Sequence, residues 1–188
     1  MPQIDSSHLR WKLTLRRAYL TKYGCRNVID CCQGQGVIWK ILRKEFDVQY
    51  VGFDRKSRTG KAQVDDSARV LSIPGHTWDV IDIDTYGAPW KHLYAAAKTI
   101  TIPTTIFLTV GRKGSIYSLP IEERKALALN FSKPVPVPLQ VRLHERAMRL
   151  ILSQLPSKFR LEIIECSMVE YYMRETTYIA LRVEPRRT

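Results

Sequence analysis

Three aspartates stand where the sequence predicts that buried strands end. Asp30, Asp54 and Asp84 each close a short apolar run. In an open parallel sheet, ligands bind in the crevice beyond the carboxyl ends of the strands, so these side chains are predicted to face one site. Carboxylates there can attract a cationic group, accept hydrogen bonds from hydroxyl groups, or hold the hydrogens of an amine.

A glycine-containing turn, CCQGQG, follows the first of these aspartates. Gly34 and Gly36 have no Cβ, so the backbone can turn sharply and approach a ligand of nucleotide size. A dinucleotide is the poorer fit, because Trp39 stands where a third small residue would pack against the sheet. Asp30 would also repel a pyrophosphate, whereas it tolerates a cationic methionyl amino group or a sulfonium.

The second aspartate adds a sugar contact to this prediction. Asp54 lies about 20 residues past the glycine turn, where a carboxylate at a strand end can accept from both ribose hydroxyls. Together, Asp30 and Asp54 predict an uncharged nucleoside with a positive tail, which describes S-adenosylmethionine (SAM). The alternative, that both aspartates only form turns, stays open at this point.

These segments resemble the motifs of class I SAM-dependent methyltransferases. NVIDCCQGQG is similar to the first motif, with Cys32 in place of its first glycine, and YVGFD is similar to the second. VDDSA resembles the third motif, which contacts adenine. The resemblance implies a cofactor site formed by Asp30, Cys32, Gly34, Gly36, Asp54 and Asp66.

The segment DVIDIDTYGAP, residues 79–89, resembles the fourth motif of amino-methyltransferases. It is closer still to the form found in the tRNA N2,N2-dimethylguanosine methyltransferases, and the similarity extends over residues 27–110. The resemblance implies that Asp84 and Tyr86 are catalytic. An exocyclic amine is a poor nucleophile unless an acceptor such as Asp84 holds its hydrogens, and Tyr86 offers a face on which an extruded base can stack.

The same segment departs from the pattern at Thr85, which replaces a proline. An alternative interpretation has Asp84 capping the next helix and Tyr86 packing in the core. Substrate contacts are predicted from the rest of the motif and from the loop beyond residue 111, namely Thr85, Gly87, Pro89, Arg112, Lys113 and Tyr117. His92 and His144 are predicted to lie on helix surfaces.

Alternating apolar strands and helices predict how these residues are positioned. The pattern predicts an α/β, Rossmann-like, doubly wound and mostly parallel seven-stranded sheet, with an antiparallel C-terminal edge hairpin and helices on both faces. Predicted strands are 27–30, 49–54, a short element within 64–73, 78–84, 104–110, 161–168 and 177–183. Predicted helices are 8–22, 37–44, 90–99, 121–131 and 139–155.

The length of 188 residues favours one domain, residues 1–188, with an N-terminal basic helix at 6–23 and a substrate-binding insertion at 111–137. Lysine and arginine number 30 against 18 acidic residues, a net charge of +12. This balance favours a polyanionic partner whose phosphates the N-terminal helix and the insertion bind. The resemblance makes RNA the expected nucleic acid, although a basic surface can also serve solubility alone.

Other features of the sequence restrict the possible functions and the expected location less strongly. No long apolar run or secretion signal is present, and the cysteines fit reduced thiols, so a cytoplasmic protein without a membrane segment or zinc site is expected. Three alternatives remain: a DNA amino-methyltransferase, a methyltransferase of protein side-chain amides, and a catalytically silent RNA-binding subunit. A protein partner or a homodimer could supply specificity.

Overall fold

The computed structural model describes residues 6–54, 63–85, 88–111, 115–129, 135–171 and 176–186. Strands and helices alternate through most of this chain. The helices are α1 (Ser6–Tyr23), α2 (Val37–Leu42), α3 (Ser67–Leu71), α4 (Trp90–Ala97), α5 (Ile121–Ala126) and α6 (Val137–Phe159). The strands are β1 (Asn27–Asp30), β2 (Gln49–Asp54), β3 (Gln63–Val64), β4 (Val80–Ile83), β5 (Thr104–Gly111), β6 (Leu161–Tyr171) and β7 (Thr176–Pro185).

The strands form one sheet in the order β3-β2-β1-β4-β5-β7-β6. β1 pairs in parallel with β2 and β4, and β4 pairs in parallel with β5. β7 is antiparallel to both β5 and β6, so the C-terminal hairpin forms one edge, as predicted. Six strands make the body of the sheet, and the two residues of β3 pair in parallel with Phe53 and Asp54 of β2 at the other edge. The predicted α/β class is confirmed.

Helices cover both faces of the sheet, because neighbouring strand residues point to opposite sides. Val28 and Val80 pack with α1 and α2, whereas Ile29 and Ile81 pack with α3, α4 and α6. The aspartates that follow at even-numbered positions in β1 and β4 therefore face α1 and α2. This alternation decides which helix can reach the predicted site.

Several element boundaries differ from the prediction. β6 and β7 continue beyond the predicted ends because polar residues still pair along the hairpin. α6 begins at Val137, since Pro138 lies in the first turn, where a helix needs no N–H donor. The helix also continues past Pro156 in its last turn.

The surface position predicted for His144 is wrong: the side chain is 1% exposed and contacts Ser115 Oγ through Nδ1 at 3.0 Å.

The region after β5 contains a 3₁₀ turn, Ser115–Ser118, followed by α5. The buried Glu123 of α5 accepts a hydrogen bond from the Tyr94 hydroxyl of α4. Lys158 Nζ of α6 donates to the same carboxylate at 3.1 Å. These contacts fix α5 against α4 and α6. No helix in the described ranges is both long and apolar enough to cross a membrane.

Candidate active site

Asp84 follows β4 and forms an ion pair with a lysine of α1. Lys12 Nζ donates to Asp84 Oδ1 at 2.6 Å and to Oδ2 at 2.5 Å. The two side chains are 8% and 19% exposed. Burial alone would raise the pKa of Asp84, but the charges of Lys12 and Arg16 outweigh burial and hold that pKa below its usual range. The carboxylate is therefore ionised and can accept hydrogen bonds.

A second ion pair lies one helical turn further along α1. Arg16 binds Asp82 through two hydrogen bonds, Nε to Oδ2 at 2.8 Å and Nη2 to Oδ1 at 2.6 Å. Trp39 Nε1 donates to Asp82 Oδ2 at 2.7 Å. Both charged side chains are 2% exposed. Such a pair is stable in the interior only when its hydrogen bonds are satisfied, and this one anchors α1 beside the end of β4.

Asp30 is buried at the end of β1, directly beside Asp82 in the strand register. Its carboxyl group accepts from Cys32 N at 3.2 Å and from the Tyr50 hydroxyl at 3.0 Å. Burial raises the pKa of Asp30 well above its usual value, and the negative charges of Asp82 and Asp84 raise it further. The folded protein therefore favours the protonated carboxyl group.

This shift predicts how stability depends on pH. Above about pH 4, where an unfolded aspartate ionises, Asp30 in the folded state keeps its proton. The folded state then binds more protons than the unfolded state, so this group lowers the free energy of unfolding as pH rises towards its raised pKa. Asp30→Asn stays neutral and lacks this effect. In urea unfolding, the stability of the variant relative to wild type should increase with pH; a constant difference would contradict the assignment.

The glycine turn has the geometry that its sequence predicted. Gly34 and Gly36 have φ angles of 53° and 64°, a region that residues with a Cβ rarely adopt. Gly36 is also the residue that precedes α2. Gly34 N donates to Asp54 Oδ2 at 2.8 Å, which connects the turn to the end of β2. The first two predicted cofactor motifs are thus in direct contact.

Gln33 lies over Gly52, where a side chain would have to displace the end of the Gln33 amide. A Cβ on Gly52 would lie 1.8 Å from Gln33 Oε1 and 2.6 Å from the Tyr50 hydroxyl oxygen. Gln33 Oε1 is buried and has no hydrogen-bond partner in the described part of the chain. A buried acceptor without a donor is costly, so this oxygen favours a ligand that supplies an N–H group.

Cys32 lies close to the aspartates at all three predicted strand ends, Asp30, Asp54 and Asp84. Burial raises the pKa of its thiol to about 12, and the nearby carboxylates of Asp30, Asp84 and Asp54 contribute to the increase. The thiol is consequently neutral at physiological pH and is a poor nucleophile. The residue that replaces the first glycine of the motif thus lies among the acidic groups on which the site prediction depends.

No model of a known protein family matches this chain, and no curated protein matches its sequence. Solved structures do match its fold. Trm1 from Pyrococcus horikoshii, in a complex with S-adenosyl-L-methionine, matches with a TM-score of 0.64 and 15% identity over 95% of this chain and 55% of Trm1. The chain has the class I methyltransferase fold. It spans about half the length of that Trm1 chain.

Two further structures match along almost their whole length. The N-methyltransferase NodS from Bradyrhizobium japonicum WM9 has a TM-score of 0.56 and 13% identity over 97% of this chain and 99% of NodS. The methyltransferase domain of bacterial CtHen1-C has a TM-score of 0.54 and 13% identity over 92% of this chain and 97% of the domain. At these identities the likeness establishes the fold alone, which agrees with the resemblance inferred from the motifs.

The third motif takes part in local structure. Asp66 caps α3, because its Oδ1 accepts from Ala68 N at 3.1 Å. Its Oδ2 accepts from Lys91 Nζ at 2.8 Å. The predicted contact of Asp66 with adenine stays a prediction.

The structure describes all residues of the fourth motif, 79–89, except residues 86 and 87. The alternative in which Asp84 caps the following helix is wrong, because Pro89 precedes α4 and Asp84 binds Lys12. Thr85 Oγ1 is buried without a hydrogen-bond partner in the described ranges, beside Asp84. Tyr86 and Gly87 lie outside the described residues.

Of the predicted substrate contacts beyond β5, Tyr117 takes part in local structure and two others lie outside the described residues. The Tyr117 hydroxyl accepts from Val135 N at 2.8 Å, which connects the 3₁₀ turn to the beginning of α6. Arg112 and Lys113 lie outside the described residues. A substrate-binding role for these three residues stays a prediction.

Sequence reasoning missed Lys12, Arg16 and Asp82. It assigned the basic residues of α1 to phosphate binding, which is wrong for Lys12 and Arg16, because both are buried against carboxylates. The helical spacing of α1 does indicate that these two basic residues are buried. These two residues are four positions apart, in the middle of the face that carries Leu13 and Leu20.

Proposed function

We propose that this chain is a SAM-dependent methyltransferase that modifies an exocyclic amine of a nucleobase in RNA, with guanine N2 as the expected acceptor. The observation that carries the proposal is the carboxylate of Asp84, which forms an ion pair with Lys12 and lies close enough to Cys32 of the glycine turn and to Asp30 for its charge to act on both. The class I methyltransferase fold supports the transfer of a methyl group. The fourth-motif sequence supports an amine as its acceptor.

The residues of the turn fit the charge of the proposed cofactor. On this side of the sheet, Lys12 pairs with Asp84 and Arg16 pairs with Asp82, whereas the described contacts give Asp30 no cation and burial favours its protonated form. A positively charged methionyl tail beside Asp30 would offset the cost of burying its ionised form. When bound, SAM supplies a methyl group on a positively charged sulfur.

Other residues would hold the remaining parts of SAM. Asp54 would accept from the ribose hydroxyl groups, and Gly34 and Gly36 would let the backbone approach the ligand closely. Gln33 Oε1, a buried acceptor, would take an N–H group of the methionyl tail. Asp66 and Cys32 complete the proposed cofactor site.

Asp84 would accept the hydrogens of the target amine. The lone pair of an exocyclic amine is delocalised into the base, and hydrogen bonding to a carboxylate increases its nucleophilicity. Tyr86 would stack against the base. Thr85 has a buried hydroxyl group that would gain a partner when substrate binds. Most of the rate enhancement would come from holding nitrogen, methyl carbon and sulfur in line.

The basic surface supports a nucleic acid as the substrate. The net charge is +12, and Arg10 and Trp11 lie exposed on α1, next to Lys12 in sequence. An arginine can bind phosphate, and an exposed tryptophan can stack on an unpaired base. This arrangement favours RNA with an accessible single-stranded base.

A labelling experiment tests the proposal. The protein is incubated with methyl-tritiated SAM and separate pools of tRNA, rRNA, DNA and protein, and the products are digested to nucleosides or amino acids. We expect label in RNA, as N2-methylguanosine. Label in DNA or in protein amides would contradict RNA as the substrate and assign that other substrate instead. No labelling together with no SAM binding in calorimetry would favour a silent RNA-binding subunit and reject the enzyme.

A further inference from the structure

Lys12 occupies the position at Asp84 that the proposed function gives to the substrate. Its ammonium group donates to both carboxylate oxygens, as an amine of a bound base would. Lys12 comes from α1, 72 residues away in sequence, and no recognised motif includes it. A base that binds to Asp84 must therefore share this site with the ammonium group.

The ammonium group has little freedom to leave. Lys12 is 7% exposed, and its Nζ lies 5.4 Å from the centre of the Tyr178 ring, a cation–π distance. One turn later on α1, Arg16 is fixed by its two hydrogen bonds to Asp82. A buried ammonium group that loses its acceptors pays a large desolvation cost. When a base displaces its hydrogen bonds to Asp84, the same base must offer the ammonium group a new acceptor.

Guanine meets this requirement with its Watson–Crick edge. That edge presents O6, an acceptor, followed by the donors N1–H and N2–H. Adenine presents one amine donor beside the acceptor N1, and cytosine presents one amine donor beside the acceptors N3 and O2, so only one carboxylate oxygen would receive a donor from either base. Guanine alone offers two donors for the two oxygens of Asp84 and an acceptor for Lys12.

We infer that Lys12 is a specificity residue that donates to guanine O6 while Asp84 accepts from N1–H and N2–H. The inference rests on the proposed function, because it assumes that the base enters at Asp84. It goes further by assigning to α1 the selection of guanine. The methyl-accepting nitrogen is then positioned by two side chains of opposite charge that come from distant parts of the chain.

A binding experiment tests this role without any turnover. The protein, saturated with S-adenosylhomocysteine, is titrated with guanosine 5′-monophosphate and with the 5′-monophosphate of 2,6-diaminopurine riboside. The analogue keeps the 2-amino group but places an amine donor at position 6, opposite the ammonium group. Wild type should bind the guanine nucleotide at least about tenfold more tightly. Equal affinities, or no binding of the guanine nucleotide at about 10 mM, would overturn the inference.

Variants show whether Lys12 causes the preference. Lys12→Met removes the donor, and the ratio of the two affinities should fall by about tenfold, because the loss of N1–H in the analogue affects both proteins equally. Lys12→Arg keeps a charged donor and should retain most of the preference. An unchanged ratio in Lys12→Met would assign the selection to other residues.

Failure of the proposed function gives a different pattern of results. If S-adenosylhomocysteine and SAM do not bind, the methyltransferase proposal is wrong, and the same nucleotide titrations without S-adenosylhomocysteine still decide the role of Lys12. If RNA is methylated and wild type does not distinguish the nucleotides, only the role of Lys12 is wrong. Thermal unfolding of both variants shows whether the fold is retained.

Discussion

Asp84→Asn is expected to lower the rate of methyl transfer by at least about a hundredfold, within the range of general acid–base catalysis. Asparagine keeps the size of the side chain but replaces one acceptor oxygen by an amide NH2 donor and removes the charge. The target amine then loses the group that holds its hydrogens. Affinity for SAM, measured by calorimetry, should stay within a few-fold of wild type, because the glycine turn and Asp54 are unchanged.

Asparagine is a better test than alanine because of the buried partner of Asp84. Alanine would leave the Lys12 ammonium group without an acceptor, and removing one member of a buried pair costs about 3–5 kcal/mol. Loss of activity could then reflect loss of fold. The double variant Lys12→Met/Asp84→Asn removes both charges and should fold, bind SAM and remain inactive.

A matched control carries the same change at an exposed carboxylate. Glu45 binds Arg17 through two hydrogen bonds and is 37% exposed at its side chain. Glu45→Gln should retain full activity, because this residue contacts α1 on the side away from Asp84. Full activity in Asp84→Asn would reject the proposed catalytic role and leave the cofactor site to be tested separately.

The fold was largely predictable because it depends on local patterns. Short apolar runs ending in aspartate identified β1 and β2, and the two glycines of positive φ fixed the turn between β1 and α2. Polar residues in β6 and β7 hid their full length, since an edge hairpin tolerates polar side chains while its backbone pairing continues.

The charge network was not predicted, because its partners are distant in sequence. Arg16 and Asp82 are 66 residues apart, and only tertiary packing brings them together. The net charge could not indicate this buried ion pair, since it counts a buried arginine and an exposed arginine alike. Asp82 lies between Ile81 and Ile83 in a buried strand, and this pattern indicates a buried cation or hydrogen-bond donors as its partners, because an unpaired buried carboxylate is costly.

Arg16→Met is expected to lower the free energy of unfolding by about 3–5 kcal/mol, the range for removing one partner of a buried ion pair. The methionine side chain fills much of the same volume but leaves the buried Asp82 carboxyl group without its cation, with only the Trp39 indole as its remaining donor in the described contacts. Urea unfolding followed by circular dichroism measures the change. A loss below about 1 kcal/mol would show that the pair contributes little to stability.

The neighbouring arginine provides a comparison in which burial is the main difference. Arg17 also binds a carboxylate through two hydrogen bonds, but its side chain is 42% exposed against 2% for Arg16. Solvent screens such a pair, so Arg17→Met should leave the unfolding midpoint nearly unchanged. The double variant Arg16→Met/Asp82→Leu removes both buried charges and should recover most of the stability lost in Arg16→Met. The remaining deficit would come from the Trp39 N–H, which loses its acceptor in an apolar interior.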